Sequence, residues 1–443
     1  MSDKNFDFPA KKMLIKTIIE FSKSSMKADD VFFVNFAEIQ PQLRANANSI
    51  FKCLLRNYNL FENVILNLCR KNPKNKLFAL LKAATADIDC RQKEKTFQVV
   101  DSWVEFAKKE FSKQESGFIN AVLRKVPNNL EDRRKFLTEK NSVKAISELY
   151  GHPLWIVEKW ISMFGLDETL HILKISQKPS EVFFIISNSE QAIKFFEENA
   201  ENFKKSKFDN FYILESGKWN NIKSVLKTNI AYVQDPSTSI AVSLLKPTFD
   251  ESVLDLCAAP GGKSRTIIDK IIQSSGYNPE KLKNSMIVSV DSGKERMKLL
   301  AENMSVIKDV KNYQIECNLL EDNLKSLLEK NSLNLTYDCV FLDAPCSNTG
   351  VLRRRPDARL RISQKDVEFC KEIQLKMMDI ASSFVKSNGR FVYSTCSIDI
   401  EENEANVEKF LKKHSDFKLI EGKTYLPDEE NDGCGAFLLQ KIN

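Results

Sequence analysis

The chain has 443 residues, 42% of them hydrophobic and 28% charged, with a formal net charge of +6. That length exceeds one ordinary core, so two or three domains are expected, and so small a positive balance leaves any nucleic-acid surface to local clustering. No charged-then-apolar leader and no run of about eighteen apolar residues occurs; ten cysteines form no framework, and His152, His171 and His414 lie far apart. A cytoplasmic, reduced, monomeric protein without metal or membrane partner is the expectation.

No glycine precedes Gly117, which argues for helices joined by short connections. Phe61, Val64, Ile65 and Leu68 fall at helical spacing, as do Leu77, Leu80, Leu81 and Ala84. Residues 1–128 therefore read as an α-helical bundle. Ser116–Arg124 belongs to a helix near its end, with Phe118, Ala121 and Val122 offering an apolar face. Arg124-Lys125 and Arg133-Arg134-Lys135 are candidates for pairing with phosphates, although a solvated helix face explains them as well. Residues 129–227 read as a small α+β connector, with strands at Glu181–Ser187 and Phe211–Leu214 and a helix over Ser189–Asn199.

From residue 228 onward strands alternate with helices. Strands are predicted at Ser252–Leu256, Met286–Val290, Asn312–Glu316, Tyr337–Leu342 and Arg390–Ser394, and Gly435–Gln440 is an antiparallel closing strand. Asp235 or Ser237 caps a helix at the start of this region. Phe369, Ile373, Met377, Ile380 and Phe384 mark a helix that Gly389 closes. The fold class is α/β, a doubly wound and mostly parallel sheet preceded by the helical bundle and the connector.

The chemistry is concentrated at three strand ends. Ser252-Val-Leu-Asp-Leu-Cys-Ala-Ala-Pro-Gly-Gly-Lys-Ser264 runs from an apolar strand through a glycine turn into a helix, as α/β proteins do where they hold nucleotides. The spacing matches neither the dinucleotide nor the Walker pattern, so a nucleotide-like ligand with less phosphate fits better. Asp291 ends the second strand at the height of a ribose, and Ser292-Gly-Lys-Glu295 has the spacing of a capping box. Asp255 orders the glycine loop. Cys346 and Cys396 each stand beyond an apolar run, in Asp343-Ala-Pro-Cys346 and Ser394-Thr-Cys396, so both can face one pocket. Buried structural thiols are the plainer alternative, and Cys53, Cys69, Cys339 and Cys370 fit it. Val351–Arg361 carries five arginines in nine positions, which suits an RNA backbone channel beside that pocket.

Cys-Ala-Ala-Pro-Gly-Gly-Lys, Asp-Ala-Pro-Cys-Ser and Ser-Thr-Cys-Ser, in this order, resemble the Sun/RsmB family of RNA 5-methylcytosine methyltransferases. The resemblance implies a Rossmann-like class I methyltransferase domain from residue 228 and an N-terminal NusB-like RNA-binding domain. It implies S-adenosyl-L-methionine as cofactor, held by Cys257, Ala258, Ala259, Pro260, Gly261, Gly262, Lys263, Asp291 and Asp343, with Asn318 where the family has an aspartate near adenine. It makes Cys396 the nucleophile, has Cys346 assist product release, and sets Asp343 at the cytosine edge. It also implies an RNA contact on the connector's first strand; Asn188 is present there, but an apolar residue replaces the family's arginine. The expected substrate is cytosine C5 in small-subunit (16S) ribosomal RNA. The alternatives are the same chemistry on transfer RNA, or an inactive RNA-binding assembly factor.

Overall fold

The computed structural model describes residues 8–442, apart from residues 92, 188, 189, 216 and 229. Asn188 thus lies outside the described residues. Two compact units divide the chain: one runs to Gln177 and takes in Arg355–Arg361, and the other comprises Lys178–Arg354 and the chain from Ile362.

The first unit is helical. Its central helix, Asn75–Cys90, buries residues on nearly every face, and Ala79, Ala83, Ala84 and Ala86 let neighbouring helices close on it. The Trp103 indole donates to Asp87 Oδ2 at 2.8 Å, which satisfies a carboxylate in that helix. The helix Lys113–Leu123 begins on a capping box between Ser112 and Glu115. Its buried face is Ser116, Ile119, Val122 and Leu123, while Phe118 and Ala121 are exposed. The apolar face thus lies one residue round from the Phe118–Ala121 stripe.

Two arginines of the second basic cluster are committed internally. Arg133 grips Glu148 through two nitrogens at 2.8 and 2.7 Å, and Arg134 grips Asp89 at 2.6 and 2.9 Å. The expected pairing with phosphates therefore fails for these two guanidinium groups.

The second unit contains two sheets. Strands β1 (Phe183–Ile186), β2 (Phe203–Lys205), β3 (Phe211–Leu214) and β4 (Ala231–Val233) form an antiparallel sheet in the order β2-β3-β1-β4. All four β1 residues are buried, because apolar side chains cover both faces of the strand. The larger sheet comprises β5 (Ser252–Leu256), β6 (Met286–Asp291), β7 (Lys311–Glu316), β8 (Tyr337–Asp343), β9 (Val385–Thr395), β10 (Phe417–Tyr425) and β11 (Cys434–Lys441). Its order is β10-β11-β9-β8-β5-β6-β7, parallel from β9 to β7 and antiparallel around β11. The order reverses between β5 and β8, and a doubly wound sheet opens a ligand crevice at such a point.

Three local expectations change. Gly389 lies inside β9 and does not close a helix: the helix Gln364–Ser382 has already ended, and β9 bulges against β8 there. A Cβ at Gly389 would meet Lys386 O at 2.8 Å, so glycine serves that bulge. The Ser292–Glu295 spacing forms no capping box, since the helix Lys294–Ser305 starts from Gly293 without a side-chain cap. Asp235 accepts the Ser237 amide at 2.9 Å, as a cap would, but also the Asp432 amide at 3.1 Å and the Arg354 guanidinium.

Candidate active site

The carboxyl ends of β5, β8 and β9 carry the glycine turn, the Asp343–Cys346 turn and the Cys396 turn side by side. Cys346 Sγ lies 3.0 Å from Cys396 Sγ, and the Cys396 thiol donates to Asn348 Oδ1 at 3.2 Å. Both cysteines are half-buried. The turns are tied through their backbones. The Gly350 amide donates to Cys396 O at 3.0 Å, and the Gly433 amide donates to Gly350 O at 2.9 Å. A Cβ at Gly350 would stand 2.3 Å from Gly433 O, so only glycine admits this approach. The hydrogen bond with Cys396 pushes the Cys346 thiol well above its ordinary pKa; burial, the Cys396 charge and the Glu402 carboxylate push the same way.

Asp343 ends β8 beside them. Its Oδ2 pairs with Lys263 Nζ at 2.5 Å, and its Oδ1 accepts the Ser394 hydroxyl at 3.0 Å. Burial works against the Lys263 charge, but Asp343 and then Cys396 outweigh it and hold the ammonium above its usual pKa. Lys263, expected at the methyl donor, thus has its ammonium on Asp343.

On the β6 side, Asp291 Oδ2 accepts the Ala259 amide at 3.0 Å and pairs with Arg296 at 2.9 Å. Among the described residues its Oδ1 makes only a 3.4 Å contact with the Gly293 amide. Asp255 is fully buried and takes the Ser264 hydroxyl at 2.5 Å on Oδ2, as a residue ordering the loop would. Its Oδ1 has no hydrogen-bond partner among the described residues. Burial pushes this carboxyl up to about 7. Cys257 adopts a left-handed backbone (φ 63°) and its thiol is pushed up by burial, which suits a backbone role in the loop. Asn318 stands two residues beyond β7, where its Oδ1 accepts the Leu320 amide at 3.1 Å and its backbone amide donates to Asp322 Oδ2 at 2.7 Å.

The arginine-rich stretch does not line a channel. Arg353 is buried and donates to Asp428 O and Glu429 O; Arg354 pairs with Asp235 and Asp432. Arg359 is 1% exposed and donates to the carbonyls of Arg56, Tyr150 and Ser176, while Arg361 donates to Ser25 O and lies over the Phe21 ring. Arg355 alone of the five is exposed. Density of charge in the sequence here marks internal carbonyl bonding, a use of the five-donor guanidinium that composition does not reveal.

Four residues about the site escaped the sequence reading: Asn348, Gln374, Arg296 and Glu402. Glu402 sits in the acidic run Asp399-Ile-Glu-Glu-Asn-Glu404 yet is fully buried, and nothing in that run distinguishes it from its neighbours. Among the described residues no group of His, Cys, Asp and Glu could hold a metal ion, and no helix is long and apolar enough to cross a membrane.

A sheet of this order, with a glycine turn after β5 and an acidic end to β6, defines a Rossmann-like methyltransferase domain. The family described as 16S rRNA methyltransferase RsmB/F matches residues 242–439, and the NusB family matches residues 10–128. Residues 242–439 thus form a domain of the RsmB/F methyltransferase family, and residues 10–128 a domain of the NusB family. It is similar to ribosomal RNA small subunit methyltransferase B of Photorhabdus laumondii, with 35% identity over 48% of this chain and 44% of that protein, so that match spans less than half of the relative. Probable ribosomal RNA small subunit methyltransferase B of Bacillus subtilis is 25% identical over 86% of this chain and 83% of its own length. Among solved structures, PH0851 has a TM-score of 0.75 at 21% identity, covering 98% of this chain and 99% of that one. A methyltransferase homolog from Pyrococcus horikoshii has a TM-score of 0.55 at 20% identity, covering 68% and 99%.

Methyltransferases of this type take S-adenosyl-L-methionine, and the residues present fit it. Gly261 has φ 102°, where a side chain is strained, and a Cβ there would meet Leu300 Cδ1 at 2.9 Å. The turn thus leaves bare backbone at the N-terminus of the helix Gly262–Ser274, with the weakly used Asp291 Oδ1 on the neighbouring strand end.

Proposed function

We propose that the protein methylates C5 of a cytosine in small-subunit ribosomal RNA through a covalent bond between Cys396 and C6 of the base. The observation that carries this reading is the 3.0 Å separation of two thiols at adjacent strand ends beside a methyl-donor fold. Cytosine C5 is a poor nucleophile. Addition of the Cys396 thiolate to C6 moves the ring electrons toward C5, which then forms a bond to the incoming methyl group. S-adenosyl-L-methionine, when bound, supplies that methyl as an electrophile. Asp291 Oδ1 is free enough to accept ribose hydroxyls, the Gly262 and Lys263 amides at the helix start favour a carboxylate, and Asn318 is assigned to the adenine by its place after β7.

Lys263 and Asp343 form one polar wall. The carboxylate suits the exocyclic amine of cytosine, and the ammonium suits the negative charge that develops on the ring when sulfur adds. The same ammonium favours the thiolate of Cys396, whose charge it feels. Once Cys396 is bonded to carbon, the neighbour that raised the Cys346 pKa most is neutral. Cys346 then gives its proton to solvent more readily and, as thiolate, can take the C5 proton; the C5–H electron pair reforms the ring double bond and Cys396 leaves as thiolate. Because the base must leave its stack for this, the target is expected in a single-stranded or loop context. The NusB-family domain supports an RNA substrate.

The test uses the full chain with labelled S-adenosylmethionine, small-subunit ribosomal RNA and transfer RNA, followed by mapping of 5-methylcytosine. Cys396→Ala should abolish methylation, and Cys346→Ala should accumulate protein covalently attached to RNA. Normal turnover by Cys346→Ala without any adduct would overturn the mechanism; methylation of transfer RNA alone would overturn the substrate.

A further inference from the structure

The two cysteines are each followed by serine, and both serines converge on one buried carboxylate. Glu402 Oε2 accepts the Ser347 backbone amide at 3.0 Å and the Gln374 amide at 2.8 Å. Its Oε1 accepts the Ser397 hydroxyl at 2.7 Å and the Ser347 hydroxyl as well. Gln374 extends the grip to the residue before Cys346 by donating to Pro345 O at 2.9 Å, and the Tyr393 hydroxyl donates to the Glu402 carbonyl at 2.6 Å. Glu402 and Gln374 are both fully buried. Every donor to this carboxylate among the described residues is neutral, so the group is not there to balance a cation. Burying a carboxylate on neutral donors is costly, and the arrangement persists only where it fixes something that apolar packing would leave loose.

What it fixes is the distance between the turns. Ser347 and Ser397 each follow one of the two cysteines, and the Gly350–Cys396 backbone bond joins the same two turns. Glu402 thus closes the second of two ties around the thiol pair.

We propose that Glu402 is a positioning residue for the second half of the reaction: it clamps the Cys346 turn against the Cys396 turn so that Cys346 reaches the covalent RNA adduct and releases it. The proposal rests on the covalent reading given above. Addition to the ring requires Cys396 and the Lys263–Asp343 wall, which Glu402 does not touch, whereas release requires Cys346 at a set distance from a sulfur already bonded to carbon.

Glu402→Gln separates these steps. The variant keeps the side chain's length and one acceptor but offers an amide donor where Oε2 takes two N–H groups, so the Cys346 turn loses its anchor. In single-turnover reactions with the RNA substrate, adduct formation should stay within about threefold of the parent while adduct release slows by about tenfold or more. Glu402→Asp, which retains the charge on a shorter arm, should recover part of the release rate. Thermal unfolding and S-adenosylmethionine binding of each variant report whether the fold is kept. Equal slowing of formation and release, or release at the parent rate in a folded Glu402→Gln, overturns the proposal. Cys346→Ala, run alongside, isolates the chemistry: if it gives no adduct the covalent reading itself falls, and if it gives adduct while Glu402→Gln does not, only the role of Glu402 falls.

Discussion

The glycine turn after β5 and the cysteine turns after β8 and β9 face the same crevice, but each holds its backbone differently. The glycine turn relies on Asp291, whose carboxylate takes one loop amide and is balanced by Arg296, a side chain 55% exposed. The cysteine turns rely on a fully buried carboxylate with neutral donors and on a backbone approach that only Gly350 permits. A loop that admits and releases a small cofactor tolerates a solvent-facing tie. Two sulfurs that, in the proposed reaction, act on neighbouring ring atoms do not, and the carboxylate that ties their turns is correspondingly buried.

If this contrast is right, the largest effect belongs to the cysteine side. Gly350→Ala places a methyl group 2.3 Å from Gly433 O, against backbone that cannot step aside. It should cost about 3 kcal/mol of stability and remove methylation, read by urea unfolding and RNA methylation. A fully active Gly350→Ala would mean that the turns are not held as tightly as their backbones suggest.

Asp255 comes next, as the buried carboxyl under the glycine turn. Burial foremost, with Asp343 and Asp291 adding and the Ser264 hydroxyl and Lys263 opposing, raises it from 3.8 to about 7. A folded-state pKa above the unfolded one means that its contribution is fully present below about 3.8 and is lost as pH rises through about 7. The loss is at most about 4 kcal/mol. Asp255→Asn, which keeps an acceptor for Ser264, should therefore gain on the parent progressively between pH 4 and pH 8 in urea unfolding. A constant difference across that range would show that the carboxyl does not titrate there.

The sequence disclosed these turns unevenly, for physical reasons. The strands β5, β6, β8 and β11 are apolar runs buried in the sheet, and their periodicity places them within a residue or two. β10 escaped notice because it is an edge strand studded with Lys418, Glu421 and Lys423, and such charge reads as loop. The cysteines were visible because each follows an apolar run. Glu402 was not, because a buried acid and a solvated one are spelled alike, and the arginines of 353–361 misled for the same reason. What a polar side chain does depends on partners far away in sequence, such as Ser347, 55 residues from Glu402. Spacing along the chain carries no record of that.

The smallest effects belong to the cofactor side. Asp291→Ala removes both the anchor of the Ala259 amide and the proposed ribose acceptor. It should weaken S-adenosylmethionine binding, measured calorimetrically, by about tenfold or more, which is about 1.4 kcal/mol. Arg296→Ala should do much less. Its guanidinium bonds both Asp291 and Ala259 O, the latter at 2.8 Å, but it does so from a surface where water can replace it. Exposed ion pairs contribute about 0–1 kcal/mol, so binding should weaken by less than about fivefold, and by less still in high salt. A loss as large as that of Asp291→Ala would place the strength of the glycine turn in its solvent-facing cation. The distinction between an open tie at the cofactor and a closed one at the thiols would then no longer hold.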